Sequence, residues 1–152
     1  RSSAASDVYK RQFPGCALTA DMITGFPGET EADQAAAVAF LEQVGFAAVH
    51  VFPYSRRPGT KADAMPEQLS HAVKSARAHE AQRVADACKQ RYLVQQVGQT
   101  LPVLFETEHD GSWVGHSDNY CLVRAAGDDL RGLVKNVKIS AVSGQMLVGD
   151  LV

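Results

Sequence analysis

The stretch "ITGFPGETEADQ", Ile23 to Gln34, joins two different patterns. To its left, "CALTADMI" is apolar and β-branched, the composition of a buried strand. To its right, "TEADQAAAVAFLEQVG" carries apolar residues at helical spacing. Thr30 is placed to cap the helix. Asp33 completes a weak capping box, and Glu29, Glu31 and Asp33 put negative charge at the positive end of the helix dipole. Val38, Leu41 and Val44 mark a buried face, Gly45 suits a left-handed stop, and "AAVHVFPY" from Ala47 to Tyr54 reads as a second buried strand. The order strand, helix, strand is a βαβ unit. Parallel strands are covered on both faces, so a lone unit of this kind needs further strands beside it.

Ligands of α/β domains meet the carboxyl ends of the strands, and both "GFPGET" and "FPYSRRPGT" lie there. Gly25 and Gly28 let backbone approach a ligand closely, and Pro27 and Pro53 stiffen that approach. Tyr54 offers a stacking ring, and Arg56 or Arg57 a charge for an anion. A phosphate-binding P-loop is excluded, because Glu29 precedes Thr30 where that motif requires lysine. Plain strand-to-helix geometry and a ligand site remain two open readings of the turn.

Outside this unit the chain changes character twice. Up to Pro66 there are 6 Lys or Arg against 7 Asp or Glu, from Glu67 to Gln96 there are 5 against 3, and from Val97 onward there are 4 against 7. The basic middle part is the longest helical pattern. Pro66 and Glu67 suit its start, and no Gly or Pro interrupts it until Gly98, which predicts a helix over Glu67 to Gln96 with Leu69, Val73, Ala76, Val84, Ala87 and Cys88 along one face. Its Lys74, Arg77, Arg83, Lys89 and Arg91 form either a phosphate-contacting row or a solvated face. Beyond Gly98, "TLPVLFETE", "GSWVG", "NYCLVRA", "LVKNVKISAV" and "QMLVGDLV" predict five short strands in a small closed barrel. Such barrels bind RNA through exposed aromatics, which nominates Trp113 and Tyr120, with Asn119 and Lys138 as polar contacts. His109 and His116 fall in turn sequences and read as solvated.

The 152 residues are 45% hydrophobic, enough for a core, and a net charge of −2 provides no general attraction for nucleic acid. Cys16, Cys88 and Cys121 lie too far apart for a C-x-x-C or finger spacing and read as reduced thiols. No apolar run approaches the ~20 residues of a membrane span, and a cytoplasmic protein is expected. The opening "RSSAASDVYKRQ" is polar, resembles a translated linker and is set aside from the fold. The expected domains are thus residues 1–12 as linker, 13–66 as an incomplete βαβ domain, 67–96 as connecting helix and 97–152 as RNA-binding barrel.

The runs "TADMITGFPGETEAD" and "VGFAAVHVFPYSRRPGTKADAMP", with the helix and the "GQ...VLFE...G...NY..V" strands, resemble the C-terminal half of the radical SAM methylthiotransferases from about Phe13 to Val152. The loop "HVFPYSRRPGT" is most similar to the tRNA branch acting on threonylcarbamoyl-adenosine beside the anticodon, and less to the isopentenyl-adenosine and ribosomal-protein branches. The resemblance implies an α/β plus β architecture: the C-terminal part of a radical SAM (β/α) barrel, a long helix and a TRAM-type β-barrel. It implies that Gly25, Phe26, Pro27, Gly28, Glu29, Pro53, Tyr54 and Ser55 line the S-adenosylmethionine side and that Arg57 contacts cofactor or substrate. It further implies tRNA as partner, neither DNA nor membrane, and two 4Fe-4S clusters in the full-length enzyme. The C-x-x-x-C-x-x-C triplet and the auxiliary-cluster cysteines are absent, so this chain is expected to bind neither cluster nor S-adenosylmethionine and to be inactive alone. The alternative is a free-standing RNA-binding module.

Overall fold

A computed structural model describes residues 2–152, with side chains from residue 6 onward. The chain divides into two compact units, one reaching Lys89 and the other spanning Gln90–Val152. The first holds α1 (Ser2–Gln12), β1 (Thr19–Thr24), α2 (Glu31–Val44), β2 (Ala48–Pro53), α3 (Lys61–Ala64) and most of α4 (His71–Gln96). β1 and β2 pair in parallel, from Thr19 opposite Ala48 to Thr24 opposite Pro53, so the βαβ unit is present.

α2 has the predicted ends. Thr30 Oγ1 accepts from Asp33 N–H at 3.1 Å, and Asp33 Oδ2 accepts from Thr30 N–H at 3.0 Å. The Thr30 hydroxyl also donates to Asp33 Oδ2 at 2.7 Å, and the hydrogen bonds from this side chain and backbone, aided by Arg77, hold the Asp33 carboxyl below its ordinary value. Gly45 closes the helix in the left-handed region at φ +64°. Leu41, Val44, Phe46 and Val49 pack with Ala81, Val84, Ala85 and Cys88 of α4, and Ala20, Met22 and Val51 lie against them. The opposite sheet face leaves Asp21, Ile23, His50 and Phe52 exposed. Register sets Asp21 beside His50 and Ile23 beside Phe52.

Two element starts are corrected. β1 begins at Thr19 rather than Cys16. Residues 2–12, set aside as linker, are helical as α1, whose Lys10 donates to the Val44 carbonyl. α4 begins at His71, not Glu67. Glu67 sits at φ +60°, incompatible with the helix, and Ser70 Oγ caps the helix by accepting from Val73 N–H at 3.3 Å. Its buried face shifts accordingly: Val73, Ala76 and Ala87 are exposed, while Ala81 and Ala85 are buried.

The second unit closes β3 (Thr100–His109), β4 (Ser112–Ser117), β5 (Leu122–Ala126), β6 (Val134–Ser143) and β7 (Met146–Leu151) into a barrel of order β3-β4-β5-β7-β6. Five strands were predicted here. β5 starts at Leu122 rather than Asn119, because Asn119 and Tyr120 belong to the preceding turn. All neighbours are antiparallel except β5 and β7, which pair in parallel at Val123 with Leu147. The two long strands each carry an irregularity, between Phe105 and Thr107 in β3 and between Ile139 and Ala141 in β6. Gly115 faces the first and Gly149 the second. A Cβ on Gly115 would lie 2.0 Å from the Leu104 carbonyl oxygen, and one on Gly149 2.2 Å from that of Lys138. Bulge and glycine together let the strands bend tightly enough to close. Val103, Phe105, Val123, Val137, Ile139 and Leu147 fill the interior.

Candidate functional site

The carboxyl ends of β1 and β2 bring the two predicted loops together. Tyr54 N–H donates to the Thr24 carbonyl at 2.8 Å, which continues the parallel pairing into the loops. The Phe26 and Tyr54 rings meet edge to face at 5.2 Å, and Lys74 Nζ stands 4.9 Å from the centre of the Tyr54 ring. Gly25 and Gly28 both have positive φ, at +71° and +78°. The open side of Gly25 is filled by α4: a Cβ there would come within 2.6 Å of Lys74 Cγ and 3.1 Å of Lys74 Cα.

The amides of this turn are already engaged. Gly25 N–H donates to Glu29 Oε1 at 2.9 Å, Gly28 N–H to the Glu67 carbonyl at 3.2 Å, and Glu29 N–H to the Phe26 carbonyl at 3.0 Å. Glu29 Oε1 also accepts from Arg77 Nη1 at 2.6 Å, and the two side chains are only 14% and 11% exposed. Arg77 makes a second bond, at 2.9 Å, to the Glu29 carbonyl. Glu29 thus locks the turn to α4, and its turn presents no nest of free amides to an anion. Pro27 is buried. Phe26, Gly28, Pro53, Ser55 and Arg57 remain exposed at the edge.

Arg56 and Arg57 separate clearly. Arg56 is held by Asp63 at 2.7 Å, whereas the exposed Arg57 side chain makes no hydrogen bond or ion pair among the described residues. Two buried hydroxyls at the same edge, Thr24 Oγ1 and Tyr54 OH, have no partner among the described residues. The exposed Ile23 and Phe52 were missed by sequence reasoning, whereas Lys74 and Arg77, named there as a phosphate-contacting row or a solvated face, instead meet Tyr54 and Glu29. The register of β1 against β2 would have shown the first pair, since it puts them side by side on the face opposite the helix. A groove of about 400 Å³ between α2 and α4 includes Gln34, Arg77 and Glu80 in its walls. Gln34 Nε2 bonds there to Glu80 Oε2 at 2.9 Å and to the Arg77 carbonyl at 3.2 Å.

On the barrel, the four nominated residues part company. Trp113 is 6% exposed, so the expected stacking residue is a core residue. Strand alternation turns Trp113, Gly115 and Ser117 inward and His116 outward, a parity that the short run "GSWVG" does not reveal. Tyr120 is 83% exposed. Asn119 is a brace, with Nδ2 donating to Tyr92 OH and Gln96 Oε1, each at 3.0 Å, and Oδ1 accepting from Ser117 Oγ at 2.6 Å. Exposed Lys138 donates to the Gly98 carbonyl at 2.6 Å. His116, read as solvated, donates from Nδ1 to Glu106 Oε2 at 2.6 Å, because a carboxylate only accepts.

Among the described residues no group of His, Cys, Asp or Glu is placed to hold a metal ion. Cys88 and Cys121 are buried and Cys16 stands apart from both in sequence, so the thiols present do not fit an iron–sulfur cluster. Among the described residues no helix is long and apolar enough to cross a membrane.

No family model matches the chain. It is 38% identical over 136 residues to the threonylcarbamoyladenosine tRNA methylthiotransferase MtaB of Bacillus subtilis, covering 86% of this chain and 30% of that protein. It is 40% identical over 151 residues to the tRNA-2-methylthio-N(6)-dimethylallyladenosine synthase of Maricaulis maris, covering 97% of this chain and 33% of that protein. The protein of the same description from Nitratidesulfovibrio vulgaris is 36% identical over 146 residues, or 90% of this chain and 32% of its own. The chain spans about a third of the length of these curated relatives, and over that span it is a homologue of the tRNA methylthiotransferases.

Proposed function

We propose that this chain forms one part of a tRNA methylthiotransferase that adds a methylthio group to threonylcarbamoyl-adenosine beside the anticodon. It would supply a strand pair of the catalytic (β/α) barrel and an RNA-binding β-barrel of TRAM type. The observation that carries the reading is the 36 to 40% identity running through most of the chain, both units included. The loop "HVFPYSRRPGT" favours the threonylcarbamoyl branch over the isopentenyl one.

In such an enzyme S-adenosylmethionine and an iron–sulfur cluster would supply the radical chemistry needed to open an inert C–H bond. The residues present suit contact with S-adenosylmethionine at the strand ends. Phe26 and Phe52 offer apolar surface, and Thr24 and Tyr54 have hydroxyls without partners. Arg57 would meet an anionic group of cofactor or RNA, while Glu29 and Arg77 fix the turn beneath. The thiols here fit no cluster, so any cluster ligands would come from another part of the protein, and this chain alone would be inactive. A tRNA partner implies a cytoplasmic setting and requires neither DNA nor membrane.

A chimera tests this directly. The matching segment of the Bacillus subtilis relative is replaced by this chain, expressed in a host lacking its own threonylcarbamoyl-adenosine methylthiotransferase, and the tRNA nucleosides are read by mass spectrometry. Return of the methylthio nucleoside is expected. A folded chimera that restores nothing would overturn the reading, and activity only in a host lacking the isopentenyl-adenosine enzyme would move the chain to that branch.

A further inference from the structure

The barrel carries a row of exposed side chains that its own core does not use. Leu104 of β3 lies opposite His116 of β4 on one side and Val134 of β6 on the other, so the three share one outward-facing row across neighbouring strands. Leu104 and Val134 are 43% and 62% exposed. The Tyr120 ring stands over the end of this row, 5.5 Å from the His116 ring and tilted 41° to it.

Tyr120 is held there against its own preference. Its backbone lies at φ +63°, a region that disfavours bulky residues, and its side chain gains almost nothing from burial. The turn enforces the conformation. Tyr120 N–H donates to the Ser117 carbonyl at 2.9 Å and Cys121 N–H to Ser117 Oγ at 3.0 Å, while Asn119 is fixed by Tyr92 and Gln96. Such strain combined with exposure marks function rather than packing.

We infer that Tyr120 and the row Val134, Leu104 and His116 form a stacking platform for unpaired bases of an RNA loop. The inference rests on the proposed RNA role of the barrel, and it adds which face acts and which kind of RNA it takes. Electrostatics selects the partner. From Val97 onward the chain has 4 basic residues against 7 acidic ones, so attraction to phosphate is too weak to hold a duplex by its backbone. Stacking on an aromatic face needs no net charge, and it is available only to bases out of a helix. Glu106 at the row is already engaged by His116, so its carboxylate is paired where a phosphate flanking the stacked base would pass.

The test uses the whole chain with two labelled RNAs, a short stem-loop and a duplex of the stem alone, read by fluorescence anisotropy at low and moderate salt. The stem-loop binds more tightly, with a shallow salt dependence. Tyr120→Asn, whose side chain tolerates the left-handed backbone, weakens stem-loop binding by about 5- to 150-fold. It leaves duplex binding unchanged and does not lower Tm, while Tyr120→Phe binds as the parent does. Equal affinity for both RNAs, or wild-type affinity in Tyr120→Asn, would overturn the platform and leave the RNA role of the barrel standing. Failure of the parent chain to bind either RNA would remove both. Concentration-dependent dimerisation in sedimentation, lost in Tyr120→Asn, would assign the row to a second copy of the chain instead.

Discussion

Glu29 is a structural fastening of the glycine turn. Sequence nominated it for a cofactor edge, yet its carboxylate spans the turn to Gly25 N–H and joins Arg77 on α4. Both side chains are largely removed from water, so deleting one partner strands the other's charge. Arg77→Ala is therefore expected to destabilise the first unit by about 3 kcal/mol, whereas Arg83→Ala, on the same helix but exposed, stays within about 0.5 kcal/mol. Urea denaturation of the two variants checks the contrast, and equal losses would show that the ion pair is not the fastening. Asp33 supplies a pH-dependent counterpart. Its hydrogen bonds to Thr30 lower the folded pKa below the ordinary 3.8, so its contribution is present above that value and is lost as pH falls through the folded one. Asp33→Asn should lower stability in the neutral region, where the carboxylate contributes, and flatten the acid limb, so that variant and parent converge as pH falls below 3.8. An acid limb identical to the parent's would mean that the cap does not report on folding.

At the level of elements, periodicity made much of the fold legible. The α2 caps, the βαβ order and the five barrel strands all follow from spacing and turn residues in the sequence. The start of α4 did not, because Pro66 and Glu67 form a plausible first turn, whereas the fold uses Glu67 in a left-handed conformation to offer its carbonyl to Gly28. The inward turn of Trp113 was equally hidden: strand parity is set by register, and register is a property of pairs. Barrel closure lay in plain view in two strand glycines. Gly115 and Gly149 each face an irregularity of a long strand, where an added Cβ would fall 2.0 Å and 2.2 Å from carbonyl oxygens. Those neighbours are backbone atoms and cannot swing aside. Gly115→Ala or Gly149→Ala should cost roughly 3 kcal/mol or more, or prevent the barrel from forming, by analogy with severe overpacking. Gly111→Ala, with open space around it but a left-handed φ, should cost about 1–2 kcal/mol. Loss of near-ultraviolet dichroism from Trp113 would report the first pair of substitutions, and a native spectrum in both would refute this account of closure.

Over the whole molecule, the two units differ in how completely they answer the demands of their own backbones. The barrel has no free edge among its five strands, and its interior is filled by side chains that are almost wholly buried. The other unit has a sheet of two parallel strands, covered on one face by helices and bare on the other, where Asp21, Ile23, His50 and Phe52 meet water. Sequence reasoning saw this incompleteness, since a lone βαβ unit lacks neighbours. It did not say which side chains would be left on the open face, because that depends on pairing. Parallel sheets gain their stability from coverage on both faces and by further strands, so β1 and β2 should open far more readily than β3 to β7. Hydrogen exchange followed by mass spectrometry gives the measure: amides of Thr19–Thr24 and Ala48–Pro53 exchange well before those of Val103, Phe105, Val123 and Val137. Comparable protection in both sets would mean that the open face is supported by something beyond its own strands. In the chimera with the longer relative, by contrast, β1 and β2 acquire neighbours, and their protection should rise while that of the barrel stays where it was. A rise confined to those two strands would show that the segments added in the chimera cover the exposed face, and no change would show that they do not.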